Sequence, residues 1–420
     1  MIYGCIAEKL GHSFSKDIHN RLFDYSYELR EVAKDELDSF MKNKDFKAIN
    51  VTIPYKESVI PYLDHISDTA KLVGAVNTIV NTNGILSGYN TDFSGLCALL
   101  DHNGISLKDK NVLILGSGGT SKTSLAVASY LKAKSIHRVS REKRDGCITY
   151  TEAVSVYSDT DIIINTTPVG MYPNIGKSPI DIECFPRLTA VIDAVYNPLR
   201  SKLVSDALKK GIKAVGGLYM LVAQAALAAE KFIGKEVSVN EIDRVYREII
   251  ENKTNIVLIG MPGSGKTTIG KLLAKELGRS FIDTDADIVK REKKPIPQLF
   301  EEVGESGFRK IEKDVIFDIS SVQNAVIATG GGAVLDEDNM DILKENGKIY
   351  FIDRDISSIT ATSDRPLSSN REALEKRYRE RYPLYCTRCD RHIKICDEPK
   401  TNMQTIIKDF KNENTCFKRT

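Results

Sequence analysis

The sequence has no strong excess of charge and no long hydrophobic run. Its 420 residues carry 59 Lys and Arg against 57 Asp and Glu, a formal net charge of +2. Nucleic-acid binders usually present a basic face, so we predict small-molecule ligands and no nucleic-acid partner. The most apolar helix-like stretch, MLVAQAALAA, includes Gln224 and is too short to cross a bilayer. We therefore predict no membrane partner, and the sequence does not indicate an oligomeric state.

The eight cysteines are scattered singly, apart from the CTRC pair Cys386 and Cys389. Scattered cysteines are typical of reduced thiols, and the stretch MIYGCIAEKLGHSF lacks the pattern of a signal peptide. Both features favour a cytoplasmic location. The CTRC pair, with His392 and Cys396, has an alternative interpretation as a metal site. Because no second CxxC follows at a zinc-like spacing, we favour ordinary thiols.

Short apolar runs that end in Gly, Asn or Asp alternate with segments of helical period. The runs are KAINVTI, NVLILG, DIIINTT, AVIDAVYN, NIVLIG, SFIDTD, AVIATGGG and KIYFID. This alternation predicts an α/β fold with parallel sheets and crossover helices. Two glycine loops, each opening its own α/β unit, indicate two enzymes in one chain. The predicted segments are a substrate-binding α/β domain (1–98, with a return segment 216–250), a Rossmann-like dinucleotide domain (99–215), a linker (251–254) and a P-loop domain (255–420).

The first glycine loop, NVLILGSGGTSKTSLAVASYL, is a predicted strand, turn and helix. Its glycines allow the backbone to approach a pyrophosphate at the helix N-terminus, although Ser121 replaces the third glycine of G-x-G-x-x-G. The next predicted strand ends in SREKR, where an NAD-binding fold would place an acid. Cations there suit a 2′-phosphate, so NADP(H) is the predicted cofactor. Its predicted contacts are Gly116, Ser117, Gly118, Gly119, Thr120, Ser140, Arg141 and Arg144.

Further strings surround this loop: GHSFSKDIHN, INVTIPYKES, GAVNTI, GYNTDFSG, INTTPVGM, DAVYNPLRS and GGLYMLVAQAA. With these strings in this order, the first 250 residues resemble shikimate dehydrogenase. The resemblance implies reduction of 3-dehydroshikimate to shikimate, with Lys56 as the catalytic lysine and Asp92 as its partner. Reduction of a ketone needs a proton donor at the developing alkoxide, and an ammonium held by a carboxylate can supply it. The residue types do not decide which of the two passes the proton.

The resemblance also implies a set of substrate contacts in the dehydrogenase half. Ser13 and Ser15 would donate to the substrate carboxylate, and other polar residues would hold the ring hydroxyls. The implied substrate-binding residues are Ser13, Ser15, Asn50, Thr52, Asn77, Tyr196 and Gln224. The alternative interpretation of the Ser, Thr and Asn residues is turn and cap chemistry, which these residue types favour in any protein.

The second glycine loop, GMPGSGKT, fits the pattern G-x-x-x-x-G-K-[ST] between an apolar run and a helical stripe. It predicts ATP binding with Mg²⁺. The backbone would cradle the phosphates, Lys266 would meet the outer phosphates and Thr267 would bind the metal. The predicted ATP contacts are Gly263, Ser264, Gly265, Lys266, Thr267 and Thr268.

Several later features concern the phosphoryl acceptor. FIDTDADI places Asp283 and Asp285 at a predicted strand end, where alternate residues share one face, so both are expected to point into one site. With GFRKIE, VIATGGGAV, SDRPLS and RERYPLY in this order, Asn255 to about Asp397 resembles shikimate kinase. The resemblance implies phosphorylation of shikimate, with Asp285 and Arg365 catalytic and Asp283 near Mg²⁺ through water. The implied acceptor-binding residues are Asp283, Asp285, Arg309, Gly330, Gly331, Gly332 and Arg381.

The kinase half departs from its family in one respect. An Arg that packs on adenine usually precedes the lid, and the stretch SSITATSDRPL offers none and is short. Three hypotheses follow. The chain is a bifunctional enzyme of aromatic biosynthesis, or it acts on a related acid such as quinate, or one half is a degenerate binding module.

Overall fold

A computed structural model of the chain describes residues 2–10, 14–359 and 371–413. Its strands are β1 Tyr3–Ala7, β2 Tyr27–Glu31, β3 Ala48–Val51, β4 His65–Ile66, β5 Thr78–Thr82, β6 Ile85–Tyr89, β7 Asn111–Leu115, β8 Ser135–Ser140, β9 Cys147–Thr149, β10 Ile162–Asn165, β11 Ala190–Asp193, β12 Lys213–Val215, β13 Asn255–Ile259, β14 Ser280–Asp283, β15 Ala325–Ala328, β16 Gly347–Asp353 and β17 Arg391–Lys394. Its α-helices are α1 Ser15–Leu22, α2 Leu37–Asn43, α3 Asp68–Val73, α4 Thr91–His102, α5 Gly119–Tyr130, α6 Tyr150–Val156, α7 Lys202–Lys209, α8 Leu218–Ile233, α9 Val239–Lys253, α10 Lys266–Leu277, α11 Thr284–Glu292, α12 Ile296–Asp318, α13 Glu337–Asn346, α14 Arg371–Arg388 and α15 Pro399–Glu413.

The chain divides into two compact units. The first comprises residues 1–197 and 201–249, and the second comprises 198–200 and 250–419. The expected linker at 251–254 is largely helical, because α9 runs to Lys253 and β13 begins at Asn255. Among the described helices, none is long and apolar enough to cross a membrane.

The first unit contains two six-stranded sheets. One has the order β2-β1-β3-β5-β6-β4 and is mixed, because β5 runs antiparallel to β3 and β6. The other has the order β12-β11-β10-β7-β8-β9, and all its pairs are parallel. The run NVLIL of β7 is buried from its second residue onward, as expected for a central strand covered on both faces. The predicted α/β fold with parallel sheets is confirmed.

Helix α8 packs closely against α4, the helix that begins beside the predicted substrate site. A Cβ atom added at Gly95 of α4 would lie 2.8 Å from the Met220 carbonyl oxygen and 2.9 Å from the Gln224 Cβ. Glycine at this position therefore allows the two helices to approach closely, and this approach carries Gln224 to the site. Gly234 ends α8 in the left-handed conformation, with a φ of 67°.

The second unit is built on a five-stranded parallel sheet of order β14-β15-β13-β16-β17. Its central strand β13 is covered on both faces. Val257 and Ile259 belong to one core cluster, whereas Ile256 and Leu258 belong to another. The glycine loop follows β13, so the loop lies at the carboxyl edge of the sheet, where ligands of such sheets bind.

Candidate active sites

An ion pair lies at the predicted catalytic position of the first unit. The Lys56 Nζ lies 2.6 Å from the Asp92 Oδ2, and the two side chains are 20% and 15% exposed. Lys56 lies in the turn after β3, and Asp92 lies in the first turn of α4. Asn90 fixes that helix start, because its side chain accepts a hydrogen bond from the Phe93 N–H. The ammonium is therefore held in place and still accessible to a ligand.

Asn50 and Asn77 are fixed by a buried hydrogen-bond network beside this pair. The Asn50 Oδ1 accepts from the Tyr27 hydroxyl at 2.7 Å, and its Nδ2 donates to the Thr78 Oγ1 at 3.1 Å. The Asn77 Oδ1 accepts from the Thr91 N–H at 2.7 Å. Both amides thus have a defined orientation before any ligand arrives. The sequence analysis did not identify Tyr27, Thr78 or Thr91, because their contacts depend on the tertiary fold.

Gln224 reaches this network from α8. The Thr91 hydroxyl donates to the Gln224 Oε1 at 3.4 Å, across a sequence separation of 133 residues. The Gln224 Nε2 donates to the Leu221 carbonyl oxygen at 2.9 Å. The structure therefore brings Asn77 and Gln224 onto the same threonine, next to Asp92.

The remaining predicted substrate contacts are described separately from this hydrogen-bond network. Thr52 follows β3 and is half-buried, and Ser15 begins α1 and is also half-buried. The Tyr196 ring packs against the Phe14 ring, with centroids 5.3 Å apart, and burial raises the pKa of Tyr196. Ser13 lies outside the described residues, so its role stays a prediction.

His19, which the sequence analysis did not identify, packs against Tyr27. The His19 ring stacks on the Tyr27 ring with centroids 3.9 Å apart, and its Nδ1 lies 2.5 Å from the Tyr25 hydroxyl oxygen. Burial lowers the pKa of His19 to about 3, so this ring is neutral at physiological pH. His19 is therefore part of the packing behind Asn50.

The first glycine loop has the geometry expected of a dinucleotide site. Gly116 has φ 114°, and a Cβ there would lie 2.6 Å from the Thr166 Oγ1. Around Gly118 and Gly119, at the N-terminus of α5, a Cβ would meet nothing within 4 Å, so the backbone faces open space. Ser121 stands in place of the third glycine, and its hydroxyl donates to the Gly116 carbonyl oxygen at 2.7 Å. The serine side chain thus closes the turn.

The basic segment lies at the end of β8, beside the glycine loop strand β7. Arg141 and Arg144 are exposed, and the Arg144 Nη2 lies 3.9 Å from the Glu142 Oε2. The Ser140 hydroxyl donates to the Glu142 carbonyl oxygen. Two further predicted contacts, Ser117 and Thr120, flank the glycines and are half-buried. An anion at this edge of the sheet would meet two arginines with accessible side chains.

The second glycine loop joins the nucleotide lysine, a threonine and an aspartate. The Lys266 Nζ donates to the Gly260 and Met261 carbonyl oxygens, each at 2.9 Å. The Thr267 hydroxyl donates to the Asp283 Oδ2 at 2.9 Å. A hydroxyl and a carboxylate are hard oxygen donors of the kind that Mg²⁺ uses together with substrate phosphates and water, so this pair fits a Mg²⁺ site. The predicted loop residues of the same turn and helix start are Gly263, Ser264, Gly265 and Thr268.

One expectation for the second unit was wrong. Asp283 ends β14, but Asp285 lies in the first turn of α11 and not on a strand. The Asp283 Oδ1 accepts from the Asp285 and Ala286 N–H groups and so caps α11. This capping ends the strand, and the two carboxylates therefore do not share a strand face. The Asp283 carboxylate accepts a hydrogen bond from Thr267, whereas the Asp285 carboxylate lies beside Gly330.

The predicted acceptor residues converge on the loop of Gly330, Gly331 and Gly332. A Cβ at Gly330 would lie 2.5 Å from the Asp285 Oδ1, and one at Gly332 would overlap the Arg309 guanidinium. The Arg381 Nη1 donates to the Gly331 carbonyl oxygen at 3.0 Å. The loop therefore needs glycine to admit these side chains, and it brings one aspartate and two arginines together.

Glu312 joins this group although the sequence analysis did not identify it. It is 1% exposed, and its Oε2 accepts from the Arg309 Nη1 at 2.7 Å. Its Oε1 has no hydrogen-bond partner among the described residues and lies 2.8 Å from a Cβ placed on Gly330. Burial raises the pKa of Glu312, and the charge of Arg309 opposes that shift. The sequence signal was the spacing of three residues from Arg309 on one helix.

A cavity of about 640 Å³ opens beside the glycine loop helix. It is lined by Thr267, Thr268, Lys271, Leu272, Glu398, Pro399 and Lys400. No sequence signal indicated the last three residues, which follow β17 more than a hundred positions later. Arg365 and most of the predicted lid lie outside the described residues.

The CTRC cysteines do not form a site with His392. The His392 Nε2 lies 2.7 Å from the Asp353 Oδ2, and the Cys389 thiol lies 3.5 Å from the Cys386 carbonyl oxygen. Within residues 2–10, 14–359 and 371–413, no group of three or more His, Cys, Asp or Glu could hold a metal ion.

Comparisons with known proteins agree with the division of the chain into two units. The family model for the shikimate dehydrogenase substrate binding domain matches residues 5–79, and that for shikimate kinase matches residues 262–411. Shikimate dehydrogenase (NADP(+)) of Clostridium perfringens (strain 13 / Type A) is 37% identical over 266 residues, which are 59% of this chain and 98% of the relative. The same enzyme of Clostridium beijerinckii is 39% identical, over 60% of this chain and 98% of the relative.

Solved structures are similar over the same part of the chain. A chorismate mutase/shikimate 5-dehydrogenase fusion protein from Clostridium acetobutylicum is 36% identical, with a TM-score of 0.57, over 60% of this chain and 97% of that structure. Shikimate 5-dehydrogenase from Thermus thermophilus, in complex with NADP(H) and shikimate, is 27% identical, with a TM-score of 0.54, over 59% and 99%. The chain therefore belongs to the shikimate dehydrogenase family and continues into a shikimate kinase domain, which makes it a bifunctional enzyme of the shikimate pathway.

Proposed function

We propose that the first unit reduces 3-dehydroshikimate to shikimate with NADPH, and that the second unit transfers a phosphoryl group from ATP to the 3-hydroxyl of shikimate. The observation that carries this proposal is the pairing of Lys56 with Asp92 at 2.6 Å in one unit and of Thr267 with Asp283 at 2.9 Å in the other. The two reactions also fit each other, because the product of the first is the acceptor of the second.

In the dehydrogenase unit, the bound cofactor supplies the hydride. Lys56 holds a proton at its Nζ beside the position of the developing alkoxide, and Asp92 holds that ammonium in place. The amides bonded to Thr91, which are Asn77 and Gln224, would position the ring hydroxyls. The arginines that follow β8, Arg141 and Arg144, would bind a 2′-phosphate, which supports NADP over NAD. Two relatives are named for NADP(+), and one solved relative for its complex with NADP(H).

In the kinase unit, Lys266 would turn from the loop carbonyls to the outer phosphates of ATP. Thr267 would bind Mg²⁺ directly and Asp283 through water. Asp285 would accept a hydrogen bond from the shikimate hydroxyl that attacks the phosphoryl group. Arg309 and Arg381 would bind the carboxylate of shikimate. Arg365 would stabilise the charge on the transferring phosphoryl group.

The cavity of about 640 Å³ beside α10 is the proposed place for the nucleoside of ATP. It adjoins Thr267 and Thr268, which follow the lysine of the loop, and it offers the side chains of Lys271 and Glu398. These groups would contact the base and ribose in a protein whose lid sequence lacks the expected arginine.

We also propose a cytoplasmic location for the chain. The eight cysteines are scattered, and the described ones are free thiols. Free thiols are typical of a reducing compartment, and this is the observation that supports the location.

The test of the two activities is an assay of the full chain with two readouts, NADPH loss and ADP release. Supplied with 3-dehydroshikimate, NADPH and ATP, the wild-type chain should show both. Lys56→Ala should reduce NADP-linked oxidation of shikimate by at least about 100-fold, because a group that accepts the hydroxyl proton in this direction contributes roughly 10²–10⁴-fold. It should leave ATP-dependent phosphorylation of added shikimate unchanged, and Lys266→Ala should do the reverse.

Several results would contradict the proposal in different ways. Loss of both activities in either variant would exclude two independent sites. Faster turnover of quinate than of shikimate would favour the related-acid hypothesis. Binding of shikimate without ADP release would show that the kinase unit is a degenerate binding module, and a preference for NAD would exclude the assigned role of Arg141 and Arg144.

A further inference from the structure

One face of α14 carries two arginines between two buried residues. Leu374, Arg377, Arg381 and Tyr385 are spaced three or four residues apart on this helix. Side chains at this spacing lie on one helical face. Leu374 and Tyr385 are each 1% exposed, and the Tyr385 hydroxyl donates to the Gly331 carbonyl oxygen at 2.5 Å. Arg377 therefore lies on the face that packs towards the glycine loop of the acceptor site.

Arg377 lacks the kind of partner that the neighbouring arginines have. The Arg309 Nη1 donates to Glu312, and the Arg381 Nη1 donates to Gly331. The Arg377 Nη1 is buried and has no hydrogen-bond partner among the described residues. Because a buried polar group without a partner costs free energy, such a nitrogen is expected where a ligand completes the site.

The charge of Arg377 interacts with those of the two arginines assigned to the acceptor carboxylate. Burial lowers the pKa of Arg377, and the positive charges of Arg381 and Arg309 lower it further, whereas Glu305 and Glu380 oppose the shift. Burial also acts on Arg309, but Glu312 and Glu305 raise the pKa of Arg309 above its ordinary value. Arg309 and Arg381 both contact the loop of Gly330, Gly331 and Gly332, and Arg377 lies one helical turn before Arg381. An anion beside this loop would therefore relieve the repulsion between the three positive charges.

We propose that Arg377 is a third arginine for the carboxylate of the phosphoryl acceptor, and that it sets the preference of the kinase unit for an acid over a neutral polyol. This inference rests on the proposed function of that unit. A carboxylate suits the position better than a phosphate does, because two of the charged residues that act on Arg377, Arg309 and Arg381, contact the loop of Gly330, Gly331 and Gly332. The phosphates of ATP belong instead at Lys266 and Thr267.

The experiment compares shikimate with its methyl ester as acceptor, using Arg377→Leu in the full chain and ADP release as the readout. A hydrogen bond to a charged group is strong enough that its loss should raise the KM for shikimate by about ten-fold or more. The kcat and the KM for ATP should change less than about two-fold, because neither depends on the acceptor carboxylate. The ester lacks the charge, so its kcat/KM should stay the same, and the preference for acid over ester should fall about ten-fold.

Arg379→Leu is the matched control, because Arg379 is exposed on the same helix and should leave every constant unchanged. Arg377→Gln guards against misfolding of the leucine variant and should lower the acid-over-ester preference in the same way. An unchanged preference in both Arg377 variants would overturn the inference. So would a fall in kcat at constant preference, since that result would assign Arg377 to the transferring phosphoryl group. If the wild-type chain releases no ADP with shikimate, the proposed function fails and the inference falls with it.

Discussion

At the scale of single residues, Asp193 shows how a buried carboxyl group can organise a loop of the dehydrogenase unit. Its Oδ1 accepts from the Asn165 Nδ2 at 2.9 Å and from the Val195 N–H at 3.0 Å. Its Oδ2 accepts from the Ser201 hydroxyl at 2.6 Å. These bonds fix the chain that leads from β11 to Tyr196. The same burial that protects the bonds disfavours the charge on the carboxylate.

This balance predicts a pH-dependent stability. Burial raises the pKa of Asp193 to about 6, above the value of about 3.9 for an unfolded chain. The folded state binds the proton of Asp193 more tightly than the unfolded state does. The stabilisation that this proton provides is therefore fully present below about pH 4 and is lost as the pH rises through about 6. Asp193→Asn removes this titration and keeps an acceptor for Asn165 and Val195. Between about pH 4 and pH 7 the variant should gain up to roughly 3 kcal/mol relative to wild type.

Denaturant unfolding of both proteins, followed by loss of dehydrogenase activity and by fluorescence at several pH values, measures this difference. The comparison between the two proteins cancels the titration of all other groups. A difference in the free energy of unfolding that stays constant over this pH range would show that Asp193 keeps its ordinary pKa in the folded chain.

At the scale of elements, the sequence was informative wherever a function depends on a short segment. Strand, glycine loop and helix start lie within a few residues of each other around Gly116 and again around Lys266, so the local sequence pattern and its neighbouring strings predicted both units. The same approach failed at Asp285, since the capping of α11 by Asp283 ends the strand earlier than the apolar pattern suggests. The contact of Thr91 with Gln224 had no local signal, because it depends on how α4 packs against α8.

That helix contact can be tested by a substitution at its closest point. In Gly95→Ala, the new methyl would lie 2.8 Å from the Met220 carbonyl oxygen, so α8 has to move. Overpacking of this kind costs about 1–3 kcal/mol. The displacement would also move Gln224 away from Thr91, so the KM for shikimate should rise several-fold.

Thermal unfolding and steady-state kinetics of shikimate oxidation measure the two effects, and ADP release by the kinase unit should not change. Ser94→Ala, one position earlier on α4, is the matched control and should leave both quantities near wild type. A Gly95→Ala chain with unchanged KM and unchanged stability would mean that α4 and α8 are not held as closely as the structure has them.

At the scale of the whole molecule, each unit contains the described residues of its own site. Lys56, Asp92 and Gln224 belong to the first unit, and Lys266 and Arg381 belong to the second. The fusion guarantees equal amounts of the two sites, but it does not by itself imply direct transfer of the intermediate between them.

This arrangement predicts that shikimate passes between the sites through the solvent. Lys266→Ala retains the dehydrogenase and Lys56→Ala retains the kinase, so an equimolar mixture of the two variants separates the activities onto different chains. At equal concentrations of each functional site, the mixture should release ADP from 3-dehydroshikimate with the same lag and the same final rate as the wild-type chain. Excess unlabelled shikimate should dilute labelled intermediate equally in both. A shorter lag or weaker dilution in the wild-type chain alone would mean that covalent linkage lets the intermediate reach the kinase site before it is released.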